Sequence, residues 1–130
     1  MAAEHLRKRY GSIIALDDVS LALAPGECVA LIGESGSGKT TLLRSFNRMV
    51  QTDDGRVLLD GSDTREMDPV VLRRRVGYVP QDGGLMPHWR IRRNVELVPR
   101  LRGMSDAASR ADAALRLAGL EPERFAERWP

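Results

Sequence analysis

Eight consecutive residues concentrate the chemistry of this chain: Gly33-Glu34-Ser35-Gly36-Ser37-Gly38-Lys39-Thr40, which follows the pattern G-x-x-x-x-G-K-[ST]. The glycines let the backbone curl until successive N–H groups point inward around a phosphate, an approach that side chains would obstruct. Lys39 extends a point charge toward the β- and γ-phosphates of a nucleotide, and the Thr40 hydroxyl suits a Mg²⁺ ion. A helix opening at this point adds its positive end and its free N–H groups beneath the same phosphates, through Thr40 and Thr41. Four fixed positions arise by accident in roughly one chain of this length in several hundred. A nucleoside triphosphate is the expected ligand.

Such a loop works only if a strand delivers it and a helix receives it. Cys28-Val29-Ala30-Leu31-Ile32 is a continuous apolar run, expected as a strand buried on both faces of a parallel sheet, with Cys28 a small buried residue. Thr40 to Met49 reads as the helix, with Leu42, Leu43, Phe46 and Met49 at helical spacing. Upstream, residues 4–23 read as two strands joined around Tyr10-Gly11-Ser12, followed by a Pro25-Gly26 turn. Downstream, Arg56 to Asp60 and Val76 to Pro80 are expected as short strands, with Asp68-Pro69 opening a helix between them. Beyond Pro87 the character turns helical. Arg90 to Leu101 carries Ile91, Val95 and Val98, weakened late by Pro99. A second helix is expected with Ser105 as its cap and Ala107, Ala108, Ala111, Ala114, Leu115 and Ala118 on one face, stopped by Gly119.

Composition narrows the function classes. At 130 residues, with 42% hydrophobic and 29% charged residues, the chain has enough apolar sequence for one core. Twenty basic against eighteen acidic residues and 5% aromatics argue against a nucleic-acid partner. Only Lys8 and Lys39 are lysines, so a lysine within the glycine loop is informative. Cys28 has no second cysteine to pair with. The charged start lacks the apolar stretch of a secretion signal, and no uncharged run reaches the ~20 residues of a membrane helix. A cytoplasmic setting is expected.

The loop alone leaves several classes open, a small-molecule kinase among them, although the GTPase runs Asn-Lys-x-Asp and Asp-x-x-Gly are absent. The surrounding stretches separate these classes. Tyr10-Gly11, Ala15-Leu16-Asp17-Asp18-Val19-Ser20-Leu21, Pro25-Gly26-Glu27, Leu31 to Leu43, Asp54-Gly55-Arg56-Val57, Asp60-Gly61 and Gly77-Tyr78-Val79-Pro80-Gln81 occur in one order. In that order the chain resembles the ATP-binding subunit of an ABC transporter along nearly all its length. The fold this implies is α/β: a P-loop core of the ABC ATPase type with an antiparallel β portion and the beginning of a helical subdomain. The core would run over about residues 1–87 and the helical part over about 88–130.

The resemblance assigns roles that composition does not. Tyr10 would stack on adenine, ring face against purine face. Gln81 would be the Q-loop glutamine, its amide beside Mg²⁺ and the attacking water, making Lys39 and Gln81 the catalytic positions and Thr40 and Gln81 the metal positions. Gly33 to Thr41, that is Gly33, Glu34, Ser35, Gly36, Ser37, Gly38, Lys39, Thr40 and Thr41, would hold the ATP together with Tyr10. Partners implied are transmembrane permease subunits, a second ATP-binding subunit and, indirectly, a solute-binding protein, with the chain peripheral on the inner membrane face. Gly84 to His88 and Asn94 to Pro99 are similar to importers of glycine betaine, proline and other quaternary amines. His88 is expected as a contact turn rather than a metal ligand, and Arg90, Arg92, Arg93, Arg100 and Arg102 face either a membrane subunit or water.

Three family features have no match here: the Leu-Ser-Gly-Gly-Gln signature, the Asp-Glu pair ending Walker B, and the switch histidine. Val57-Leu58-Leu59-Asp60 imitates Walker B but leads into Gly61, Asp82-Gly83-Gly84-Leu85 is not the signature, and His5 lies too early. The run Phe125 to Pro130 resembles the approach to the signature, so the expectation is an incomplete domain ending just before it. Alternatives are a non-catalytic short nucleotide-binding or interaction protein, a non-transport ABC ATPase, and a small-molecule phosphotransferase.

Overall fold

Local chemistry accounts for the opening hairpin. Strand β1 (Ala2–Tyr10) and strand β2 (Ile13–Ala22) run antiparallel, turning through Gly11-Ser12 so that Tyr10 opposes Ile13. The computed structural model describes residues 1–81 and 83–130, and these divide into two compact units, Met1–Tyr78 and Val79–Pro130. Asp82, in the Asp82-Gly83-Gly84-Leu85 stretch, lies outside the described residues.

In the first unit β1 also pairs antiparallel with β3 (Asp54–Leu59), which pairs with the two-residue β4 (Ser62–Asp63), giving the sheet order β2-β1-β3-β4. The β1–β2 ladder is interrupted near His5 and Asp18, two non-glycine residues at φ 51° and 55° whose Nδ1 and Oδ1 atoms lie 2.8 Å apart. Such bulges bend a strand, and here fully buried Leu6 follows the irregularity. At Gly55, φ is +79° and an added Cβ would stand 2.4 Å from the His5 carbonyl oxygen, so only glycine allows β3 this close to β1.

Helix α1 (Lys39–Phe46) covers one sheet face. Leu42 and Phe46, one turn apart, join Ala3, Leu6, Leu16 and Val57 in a core flanked by Val19, Leu21 and Leu31. Burying a leucine or phenylalanine here contributes about 1.5–3 kcal/mol each. A 3₁₀ turn (Thr64–Glu66) leads to helix α2 (Pro69–Arg75), whose Leu72 is fully buried. The Asp68 carboxylate accepts from the Val70 and Val71 N–H groups at 2.8 and 3.0 Å, the cap that Asp68-Pro69 implied.

Two expected strands do not form. Residues 28–32 and 76–80 make no ladder with any strand among the described residues, Cys28 is exposed, and Ile32 and Val79 are 94% and 90% exposed. A strand is a property of two paired segments, so an apolar run without a partner stays outside the sheet. The observed sheet is wholly antiparallel.

The second unit is helical: α3 (Ile91–Leu101), α4 (Ala107–Leu117) and α5 (Pro122–Phe125). Pro99 sits within the last turn of α3. The free N–H groups at the start of α3 find acceptors in the returning chain: Ile91 donates to Arg128 O and Arg92 to Ala126 O, both at 2.9 Å. Arg92 Nη1 lies 2.6 Å from Asp112 Oδ1 on α4, and buried Glu96 pairs with Arg100 at 2.6 Å. The buried stripe of α4 is Ala107, Ala111 and Leu115 alone, narrower than expected, with Ala108, Ala114 and Ala118 exposed. Asp106, not Ser105, occupies the cap position, without a side-chain bond; α4 begins one residue later than the expected cap allows. Gly119 ends the helix at φ +73°.

Candidate phosphate-binding site

The expected loop folds into a tight structure at the head of α1. Gly38 is the residue before the helix, at φ +87°, and its carbonyl accepts the first helical bond from the Leu42 N–H at 2.9 Å. A Cβ on Gly38 would meet the Ala15 carbonyl oxygen of β2 at 2.2 Å. Glycine is required here twice, for its dihedral and for its lack of a side chain. No side chain caps α1, so its first-turn N–H groups have no side-chain acceptor. That is the arrangement that favours an anion at a helix start.

Lys39 returns over the loop. Its Nζ donates to the carbonyl oxygens of Gly33 and Glu34 at 2.7 and 2.6 Å, and to Ser37 Oγ at 3.1 Å. The Ser37 N–H closes a turn on Glu34 O at 3.3 Å. Gly33, Glu34 and Ser37 are therefore gathered around the Lys39 ammonium, and Ser35 and Gly36 are exposed between them. Thr40 is exposed in the first helical turn, and Thr41 is half-buried beside it. A cavity of about 440 Å³ adjoins the loop, lined by Gly33, Ser37, Gly38, Lys39 and the β2 residues Ala15 to Asp17 among others.

The structure places the remaining expected site residues apart in chain position. Tyr10 ends β1 in the first unit and is 48% exposed, which leaves ring surface for a ligand. Gln81 is exposed and belongs to the second unit, whereas Tyr10 and the whole loop belong to the first. His88 packs edge-on against the Trp89 ring at 5.7 Å, and among the described residues no cluster of His, Cys, Asp and Glu is arranged to hold a metal.

Three features of this region were not evident from residue spacing. The Ala15 carbonyl acts as a wall behind Gly38. Arg44 Nε donates to the Tyr78 hydroxyl at 3.3 Å, tying α1 to the last residue of the first unit. The hydrogen bond to Tyr78 raises the already high Arg44 pKa further. Lys8 Nζ lies 2.7 Å from Asp53 Oδ1 and 5.3 Å from the Tyr10 ring centroid. The Lys8 ammonium, with the Arg9 N–H, holds the Asp53 carboxyl below the usual range. Among sequence signals, only the scarcity of lysine pointed toward Lys8.

Known proteins are similar to this chain in sequence and in fold. A family model described as ABC transporter matches residues 16–128. The carnitine transport ATP-binding protein OpuCA of Listeria monocytogenes is 42% identical over 130 residues, which covers 98% of this chain and 32% of the relative. The osmoprotectant import ATP-binding protein OsmV of Salmonella typhimurium is 36% identical over 132 residues, with 100% and 35% covered. The glycine betaine uptake system ATP-binding protein YehX of Escherichia coli is 40% identical over 128 residues, with 97% and 41% covered. A solved dimeric, post-hydrolysis state of the ATP-binding cassette MJ0796 bound to ADP and Pi matches with a TM-score of 0.84 and 32% identity, covering 100% of this chain and 62% of that one. The chain spans about a third of the length of the first two of these relatives. No helix among the described residues is long and apolar enough to cross a membrane.

Proposed function

The chain belongs to the ABC transporter family, and from that membership we propose that it binds Mg-ATP through residues 33–41 as part of an ATP-binding subunit for solute import. The observation that carries this reading is the Lys39 ammonium held over the loop by Gly33 O, Glu34 O and Ser37 Oγ, at the uncapped start of α1. Each of those acceptors is a neutral oxygen. A phosphate oxygen replacing one of them carries a negative charge of its own, so the contact with the ammonium becomes an ion pair.

Within that reading, this chain's residues bind and orient the nucleotide. Backbone N–H groups of the loop and of the first helical turn surround the phosphates, and Lys39 stands where negative charge grows as the γ-phosphoryl group leaves. The exposed Thr40 hydroxyl is a hard oxygen donor suited to Mg²⁺, with Gln81 proposed as a second oxygen donor. Bound there, Mg²⁺ would neutralise charge on the phosphate oxygens. Tyr10 is proposed to stack on the adenine. We assign nucleotide binding to the 130-residue chain, without sustained turnover. The hydrolysis of ATP to ADP and phosphate, coupled to transport with permease subunits and a second ATP-binding subunit, is proposed for the family arrangement of which these residues form a part.

The solute we propose is an osmoprotectant of the betaine or carnitine kind, supported by the names of the relatives from Listeria, Salmonella and Escherichia. The proposed location is the cytoplasmic face of the membrane. Calorimetric titration of the purified chain with Mg-ATP tests the binding function. Lys39→Ala should lower affinity at least tenfold while leaving the circular dichroism spectrum unchanged, and equal affinities would overturn the reading.

A further inference from the structure

The chain has two lysines, Lys8 and Lys39. Lys39 belongs to the phosphate loop, and the Lys8 ammonium lies over the Tyr10 ring. Lys8 stands on β1 opposite Leu16 of β2, with its side chain only 17% exposed. A mobile lysine contributes little to a ring, because its flexible stem spreads the charge over many rotamers. Here Asp53 removes that freedom. Its Oδ1 takes the Lys8 ammonium at 2.7 Å, its Oδ2 accepts the Arg9 N–H at 2.7 Å, and its own N–H donates to Arg7 O at 2.8 Å. Asp53 is thus anchored at three successive residues of β1, two of them through its carboxylate, and the cation it fixes lies 5.3 Å from the Tyr10 centroid, within cation–π range.

We propose that Lys8, held by Asp53, is a positioning residue for the nucleotide base: it braces the Tyr10 ring and tunes the ring for stacking on a purine. A cation near an aromatic ring draws π density toward itself. The ring then presents a less electron-rich surface to a second partner, which favours stacking on an electron-rich purine. The same contact restricts the ring's orientation, so less conformational freedom is lost when the base binds. The half-exposed state of Tyr10 leaves surface for that base. This inference rests on the proposed stacking role of Tyr10.

The test separates base from phosphate. Mg-ATP and Mg-tripolyphosphate, which lacks a base, are titrated calorimetrically into the unsubstituted chain and into Lys8→Met, Lys8→Arg, Tyr10→Ala and the Lys8→Met/Tyr10→Ala double variant. Lys8→Met should weaken ATP binding about threefold to tenfold and leave tripolyphosphate binding unchanged, with Lys8→Arg retaining most of the affinity. In the double variant the Lys8 change should add nothing to Tyr10→Ala. Equal weakening toward both ligands, an additive double variant, or a silent Lys8→Met beside an effective Tyr10→Ala overturns the role of Lys8. A silent Tyr10→Ala, or no ATP binding by the unsubstituted chain, overturns the stacking reading and this inference with it. Thermal melts of each variant identify any that fail to fold, and for those Asp53→Ala, which removes the acceptor of the ammonium without altering the lysine, takes the place of Lys8→Met.

Discussion

Gly38 and Ala15 approach so closely that a Cβ on Gly38 would lie 2.2 Å from the Ala15 carbonyl oxygen. The phosphate loop and strand β2 are therefore locked together through a missing side chain. This contact carries the loop to the start of α1, and it makes Gly38 different in kind from its neighbour Gly36. Gly36 also has a positive φ, +85°, but an added Cβ there meets open space.

Gly38→Ala should destabilise the chain by about 3 kcal/mol, from a left-handed backbone combined with a clash against rigid main chain. Gly36→Ala should cost about 1 kcal/mol, the dihedral alone. Urea denaturation of the two variants checks the ranking, which a loop free of β2 would not produce.

Asp53 predicts a definite acid response. Its folded-state pKa is depressed, by Lys8 first and by the Arg9 N–H second. A depressed carboxylate contributes stability that is present above its unfolded value near 3.9 and is lost as pH falls through the lower folded value. Asp53→Asn should accordingly be less stable than the parent at pH 7, with the gap closing below about pH 3.9. Paired thermal melts from pH 7 to pH 2 measure this, and a gap that widens in acid would contradict the assignment.

Asp68 caps α2 through two hydrogen bonds, to Val70 and Val71 N–H. Asp68→Ala should cost about 1 kcal/mol and Asp68→Asn a smaller amount, since asparagine retains a carbonyl acceptor. Chemical denaturation midpoints at constant slope provide the measurement.

In the second unit Asn94 ties down the segment before α3. Its Oδ1 accepts the Met86 N–H at 2.7 Å, and its Nδ2 donates to Met86 O and Trp89 O, both at 3.1 Å. Asn94→Ala should destabilise this unit by about 2 kcal/mol, and Asn94→Asp should recover only the Met86 N–H bond. Amide hydrogen exchange at residues 86–90 should accelerate in both variants, more in the alanine one.

The features that were legible in the sequence are those completed within a few residues. The phosphate loop lies in eight consecutive positions, the Asp68 cap reaches its acceptors two and three residues on, and the Tyr10–Ile13 hairpin turns through Gly11-Ser12. Apolar pattern misled where pairing was needed: residues 28–32 and 76–80 have strand-like composition yet no ladder. The narrow stripe of α4 diverged for a related reason, because helical spacing shows which residues share a face but not how much of it a neighbour covers.

By itself the sequence determined the loop, its lysine and the family likeness, since each is spelled by neighbouring residue types whose geometry is local. Only the tertiary structure decided that Gly38 must be glycine because of Ala15, and that Lys8 is steered to Tyr10 by Asp53. Those relationships join residues brought together by strand pairing and by packing on α1. A contact between distant segments leaves no fixed spacing to read.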